Sequence, residues 1–274
     1  MMRSETMVAV AIVLLSSPPV GFHPSASAMT AGDAQQSGQA GRSARRKEAA
    51  VPFRVGETLT YDVSWSSFLV AGTASTTVKE KRTSFNSTAY AIVAEGRPLP
   101  ALSRLFVLYY KIDTLVDSFT LLSQQGSIYS EEGDRYETAT TTFDRRTQKA
   151  VFDRRNEGTD RKTFAVPTQT QDGLALLYAL RVLALKPGSR IEVPVTNDGE
   201  LFTVSVDVSG PERVRVPLGT VDALNLMLTI LDADRQPVAR NTAVWISTDA
   251  ERLPVKLQAE LPVGSFVLAL REVR

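Results

Sequence analysis

The sequence predicts an all-β fold: a mainly antiparallel curved sheet, in the form of a partly open barrel or sandwich, around one buried apolar helix. Three observations predict it. From Pro52 onward apolar and polar residues alternate with period two in run after run, the pattern of half-buried strands. Turn chemistry separates those runs at even spacing, at Glu131-Glu132-Gly133-Asp134, Asn197-Asp198-Gly199, Pro217-Leu218-Gly219 and Pro262-Val263-Gly264. One segment alone, Leu174 to Leu185 (LALLYALRVLAL), has helical length, and it is apolar nearly all round.

Residues 1–28 read as a secretory signal. Arg3 gives a positive start, Met7 to Leu15 (MVAVAIVLL) is an unbroken apolar core, and Ala26-Ser27-Ala28 is a small-x-small cleavage site. The apolar run is too short to span a bilayer, and Ser16-Ser17-Pro18-Pro19 follows it. Residues 29–50 are rich in Ala, Gly, Gln and Ser without an apolar period, which predicts a disordered leader. Its basic cluster, Arg42, Arg45, Arg46 and Lys47, reads as a solvated linker, with anionic head groups or acidic glycans as the alternative contact. Residues 51–274 then form a single β-rich domain.

In that domain Leu59, Tyr61, Val63 and Trp65 alternate with Thr58, Thr60, Asp62 and Ser64, giving a first strand one apolar and one polar face. Ser66-Ser67 supplies a turn. Val70 to Val78 is a strand of small residues around Gly72, the composition of a strand crossed closely by another element. Thr88 to Glu95 is the third strand. Pro98 and Pro100 break the sheet, one helical turn fits Ala101 to Phe106, and Val107 to Val116, Thr120 to Tyr129 and Arg135 to Phe143 continue as strands. Phe143-Asp144-Arg145-Arg146 recurs as Phe152-Asp153-Arg154-Arg155. The spacing suits a hairpin whose opposite charges pair across the ladder; a basic site for an acidic ligand is the sharper alternative.

Asp172 can cap the helix and Lys186-Pro187-Gly188 ends it. Arg181 is its one charge. A buried guanidinium needs a carboxylate or several carbonyls, so a structural role is expected, with snorkelling at the helix end as the other option. Strands resume with Arg190 to Thr196 and Glu200 to Val208, a hairpin on an Asp-Gly turn, then Glu212 to Val216 and Thr220 to Ile230. Asn241 to Ser247, Leu253 to Glu260 and Ser265 to Val273 complete the set.

Three stretches occur in a telling order and spacing: Gly56-Glu57-Thr58-Leu59-Thr60-Tyr61 with Ala71-Gly72 soon after, Asp172 opening the Leu-Tyr-Arg helix through Arg181, and Trp245-Ile246-Ser247-Thr248-Asp249 leading to Leu253-Pro254-Val255. Together, over Phe53 to Val273, they resemble the exported bacterial proteins of the domain of unknown function 3108 family. The resemblance implies a periplasmic, largely β protein of unassigned activity, and it supplies no catalytic residues. Many exported proteins of this kind are lipid-anchored through a cysteine. This chain has none, which predicts a periplasmic protein that is not lipid-anchored.

The single histidine, His23, lies in the signal. The mature chain then has no imidazole and no thiolate, which removes serine triads, cysteine nucleophiles, disulfides and most metal sites; neither cofactor nor metal is expected. Nucleophile elbows, P-loops and H-E-x-x-H are absent from the sequence. Carboxylate-only glycosidases need two carboxyl groups at ~5–5.5 or ~6.5–9.5 Å. Asp113 and Asp117 share one strand face but lie ~13 Å apart by strand rise. A net charge of +1 predicts no nucleic-acid partner, and no segment after the signal approaches the ~20 apolar residues of a membrane span.

What remains is apolar. Tyr61, Trp65, Tyr90, Tyr109 and Trp245, with Arg181 on the helix, are the candidate ligand-binding residues if strand aromatics line a cavity; core filling is the plain alternative. The leading expectation is a non-catalytic periplasmic protein binding a lipid or other apolar envelope molecule in its curved sheet. A structural or protein-interaction module of the envelope and a carboxylate-dependent glycan-active enzyme are the alternatives.

Overall fold

The computed structural model describes residues 47–66, 69–103, 108–156, 158–261 and 264–274. The signal, the leader through Arg46, Ser67 of the first turn, residues 104–107 and Pro262-Val263 lie outside them. Fourteen strands form one sheet. They are β1 (Thr58–Trp65), β2 (Leu69–Ser84), β3 (Ser87–Pro98), β4 (Leu108–Asp117), β5 (Ser123–Glu132), β6 (Arg135–Asp144), β7 (Lys149–Arg155), β8 (Thr159–Ala165), β9 (Arg190–Asn197), β10 (Glu200–Val216), β11 (Gly219–Leu231), β12 (Pro237–Ser247), β13 (Pro254–Leu261) and β14 (Gly264–Val273). A single turn, α1 (Pro100–Ser103), follows β3, and α2 (Gly173–Val182) follows β8.

The strand order is β8 back to β1, then β14 back to β9, with every neighbouring pair antiparallel. Two meanders thus meet at β1 and β14, which exchange backbone hydrogen bonds between Thr58 and Arg274 at 3.0 and 2.9 Å. Bulges in β1, β2 and β10 bend the sheet. It curls around α2 without closing into a barrel. Near its edges, side chains of β7 meet the turn between β9 and β10: Arg154 pairs with Asp198, and Phe152 packs on Gly199, where a Cβ would come within 2.8 Å of the ring. Gln171 bridges the gap as a one-residue parallel contact to β9.

Alternation decides the faces. On β1 the odd residues, Leu59 and Tyr61, are buried against Leu268 and Leu270 of β14, and the even ones are less buried. Leu176, Leu177 and Leu180 of α2 pack on Val193, Val195, Val204, Val206, Leu226 and Ile246 from β9–β12. Leu174, Ala175 and Tyr178 pack on Phe53, Val78, Tyr90, Ile92 and Ile112 from the other meander. Sheet on both sides is why the helix has no polar face. No helix among the described residues is long and apolar enough to cross a membrane.

Several expectations need correction. The helix stops at Val182, not Leu185, because Leu183 turns extended and Arg252 takes over the last carbonyls. Glu131 and Glu132 belong to β5, leaving Gly133-Asp134 as the turn. Strand β5 starts at Ser123, not Thr120, whose N–H is tied to Asp117. The Phe-Asp-Arg-Arg copies do not pair: Asp144 accepts from the turn amides of Arg146 and Thr147, while Asp153 lies opposite Thr140. Strand β8 was not expected, since its charged, exposed sequence has no apolar alternation. Such charges protect an open sheet edge. At the start of the described residues, within the stretch expected to be a disordered leader, Glu48 is docked, accepting from Lys81 at 2.5 Å and Ser118 at 3.0 Å.

Candidate functional site

Polar groups gather at both ends of α2. At its start Asp172 accepts from the Ala175 amide at 2.9 Å and from the Thr114 hydroxyl at 2.5 Å. Gly126 gives it room: a Cβ there would lie 3.0 Å from the Asp172 side chain. Burial pushes the Asp172 carboxyl above the usual carboxylate range, and hydrogen bonds led by Thr114 offset part of this. Gln171 accepts from the amide and hydroxyl of Ser123. Arg145 reaches the carbonyls of Ser123, Thr168 and Thr170, pinning the segment that leads into the helix. Burial lowers its pKa to about 10.

At the other end Arg181 is fully buried. It donates to both carboxylate oxygens of Glu57, at 2.5 and 3.0 Å, and to the carbonyls of Glu251 and Arg252, at 2.9 and 3.1 Å. Phe53 and Tyr178 present their rings to the guanidinium at 5.4 Å. Arg252 returns the contact by donating to the carbonyls of Arg181 and Leu183. The turn that offers these groups is shaped by Asp249, which accepts from the amides of Glu251 and Arg252. Tyr61 reaches the same turn, its hydroxyl donating to the Pro254 carbonyl at 2.9 Å. The three stretches that carry the family resemblance therefore meet at one place. Every group there is committed to the fold, so this centre is structural.

The sequence-predicted site residues separate accordingly. Tyr90 and Arg181 lie in the core around α2, with Tyr90 edge-on to Phe53 at 5.3 Å, while Tyr61 and Trp245 belong to a second buried cluster with Leu59, Leu268 and Leu270. Trp245 points away from the helix, because its neighbours Val244 and Ile246 face it. It is buried, donates to Glu212 and carries Lys256 over its ring at 4.4 Å. Tyr109 is on the convex face, donating to Glu95 at 2.9 Å. Trp65 alone of the six is on the concave face with its ring accessible, 41% exposed and stacked on Phe266 at 6.3 Å.

A second concave-face residue shares this property and was not anticipated. Ile128 sits opposite Ile112 and Ala139, hence on the helix side of the sheet, and is 38% exposed. Neither Trp65 nor Ile128 belongs to the core clusters around α2. Between them lies Gly96, whose missing side chain would meet no atom within 4 Å. Its partners on this face, Ala74 and Tyr110, are buried, so the exposure lies at Trp65 and Ile128, with a small gap above Gly96 between them. The sequence signal for it was weak: Ile128 stands in a polar run, and Gly96 reads as a mere strand end.

The family described as protein of unknown function (DUF3108) matches residues 60–271. No curated protein matches the chain. Among solved structures, a β-barrel-like protein of domain of unknown function DUF1849 from Brucella abortus aligns with a TM-score of 0.49 at 11% identity, over 80% of this chain and 97% of its own. A candidate exported protein with a YmcC-like fold from Bacteroides fragilis NCTC 9343 aligns at 0.34 and 9% identity, over 83% and 100%. A candidate lipoprotein from Parabacteroides distasonis ATCC 8503 gives 0.35 and 9%, over 82% and 97%.

Proposed function

Given that this chain belongs to the DUF3108 family, a family of unknown function, we propose that it is a non-catalytic periplasmic protein that holds an apolar envelope molecule, a lipid acyl chain, against the uncovered part of its concave face. One observation carries this reading: Trp65 and Ile128 project from the concave face and stay exposed, with unfilled space above Gly96 between them. Inward-facing apolar residues of a β sheet normally enter the core, so a stretch left open there suits a guest. Trp65 and Ile128 stand on strands four spacings apart, ~19 Å along the sheet, enough for an extended chain lying across β2 to β4. The export signal read in residues 1–28 supports the compartment, and the missing cysteine supports a protein without a lipid anchor. The lack of imidazole and thiol groups in the mature chain favours binding over reaction.

The test is to purify the mature protein gently from its native periplasm and identify extracted lipids by mass spectrometry. Lipid should accompany the wild type, and be lost from Gly96→Leu, which fills the space above that glycine, and from Ile128→Glu, which puts a charge on the exposed apolar face. Both variants should keep the wild-type unfolding temperature within a few degrees. Wild-type protein that yields no lipid would overturn the proposal.

A further inference from the structure

On the convex face of β6–β8 the alternation that buries Thr141 and Phe143 inward turns Thr138, Thr140 and Thr142 outward. Register sets Thr138 opposite Arg155, Thr140 opposite Asp153, and Asp153 opposite Arg161. Short hydroxyl side chains in one row and long guanidinium side chains in the next make a trough, with a volume of about 510 Å³. The polar groups are only partly used. Thr140 shares a proton with Ser127 at 3.0 Å and Thr142 accepts from Gln125 at 3.0 Å. Arg155 pairs with Asp153 at 3.2 Å, and Arg161 makes no side-chain hydrogen bond or ion pair among the described residues. Two guanidinium groups against one carboxylate leave the trough with a surplus positive charge.

Aromatic rings continue the trough along the same face. Tyr129 lies opposite Thr138, with Tyr109 edge-on to it at 6.1 Å. Their hydroxyls are held by Glu131 and Glu95, and Arg97 sits over the Tyr109 ring at 4.8 Å, so the rings are fixed in place. Tyr136, two residues before Thr138, is 66% exposed. From Tyr136 to Thr142 the strip is ~20 Å long.

From this we infer that the convex face of β5–β8 binds an acidic saccharide, a short run of sugar rings bearing carboxylates. Ring faces of pyranose sugars suit fixed tyrosine rings, sugar hydroxyls suit the threonine row, and a carboxylate suits the guanidinium of Arg161 or of Arg155. A polypeptide or a lipid has no need of all three. The inference is independent of the apolar reading, because the sheet separates the two faces.

The experiment is calorimetric titration of the full mature chain with tetragalacturonate, a carboxylated tetrasaccharide. Uncharged cellotetraose and citrate, which has the charge without the rings, serve as comparisons. Tetragalacturonate should bind at least tenfold tighter than either. Arg161→Gln and Tyr136→Ala should each weaken it at least tenfold with unchanged unfolding temperature, since both side chains are exposed. Ile128→Glu, on the other face, should leave it unaltered. Absence of binding at millimolar ligand, equal binding of citrate, or unaffected binding in both trough variants would each overturn the inference.

Discussion

Glu57 and Arg181, 124 residues apart in the chain, form a two-point ion pair beneath the sheet, with oxygen–nitrogen distances of 2.5 and 3.0 Å. The pair ties the entry of β1 to the last turn of α2, and the carbonyls of Glu251 and Arg252 complete it. Removing one partner leaves an uncompensated buried charge, which costs about 3–5 kcal/mol. Arg181→Met and Glu57→Leu should each lose that much in urea unfolding. The double variant should recover most of the loss, since two apolar groups need no partner. Additive losses in the double variant would show that the two residues act separately.

Asp172 makes stability depend on pH in an unusual direction. Its carboxyl is raised by burial, so the folded state favours the protonated form. A raised folded-state value gives a contribution that is complete below the ordinary carboxylate range and is lost as pH rises through the folded value. Asp172→Asn keeps a capping oxygen without the charge. Relative to wild type it should gain stability as pH rises above the ordinary carboxylate range, because wild type then loses the contribution of its protonated carboxyl. Asp172→Ala should lose about 1–2 kcal/mol by loss of the cap. An asparagine variant that loses ground as pH rises would mean that attraction to the nearby Arg145 charge outweighs burial.

Gly72 is packed where β3 ends. A Cβ at this position would lie 2.6 Å from the Arg97 carbonyl oxygen, a backbone atom that cannot swing aside. Gly72→Ala should therefore destabilise by about 1–3 kcal/mol, the range of overpacking. Gly96→Ala, one strand away with open space above it, should be near neutral by the same chemical denaturation. Equal effects would mean that the close approach at Gly72 is relieved by a shift of β3.

The two tryptophans report different environments. Trp245 is 8% exposed and Trp65 41%. In Trp245→Phe the remaining emission should lie at longer wavelength than in Trp65→Phe and be quenched several-fold more strongly by acrylamide. Comparable quenching in the two variants would place Trp65 in the core.

Strand positions were legible wherever one face is apolar and the other polar, as in Leu59 to Trp65, because burial imposes the alternation directly. The helix was legible for a related reason: apolar residues all round imply a partner on every side, and α2 has one on each. Strand β8 was invisible because an exposed edge rejects the pattern that identifies a strand. Arg181 could be read as needing a carboxylate, but nothing local pointed to Glu57, since that partner is chosen by the curl of the sheet. The exposure of Ile128 on the concave face and the threonine trough were equally hidden. Both depend on which strands become neighbours, and single-chain periodicity does not encode that.

The two strands at the middle of the sheet come from opposite ends of the domain, as the contact between Asp62 and Arg271, 209 residues apart, illustrates. Neither can find its neighbour until nearly all the intervening polypeptide exists, so completion is governed by one very distant closure. During synthesis β1 waits with an unmatched side while twelve further strands follow. A protein assembled in this order keeps that side of β1 unpaired until the final segment arrives, and shortening it by that one segment should leave two halves with nothing to join them.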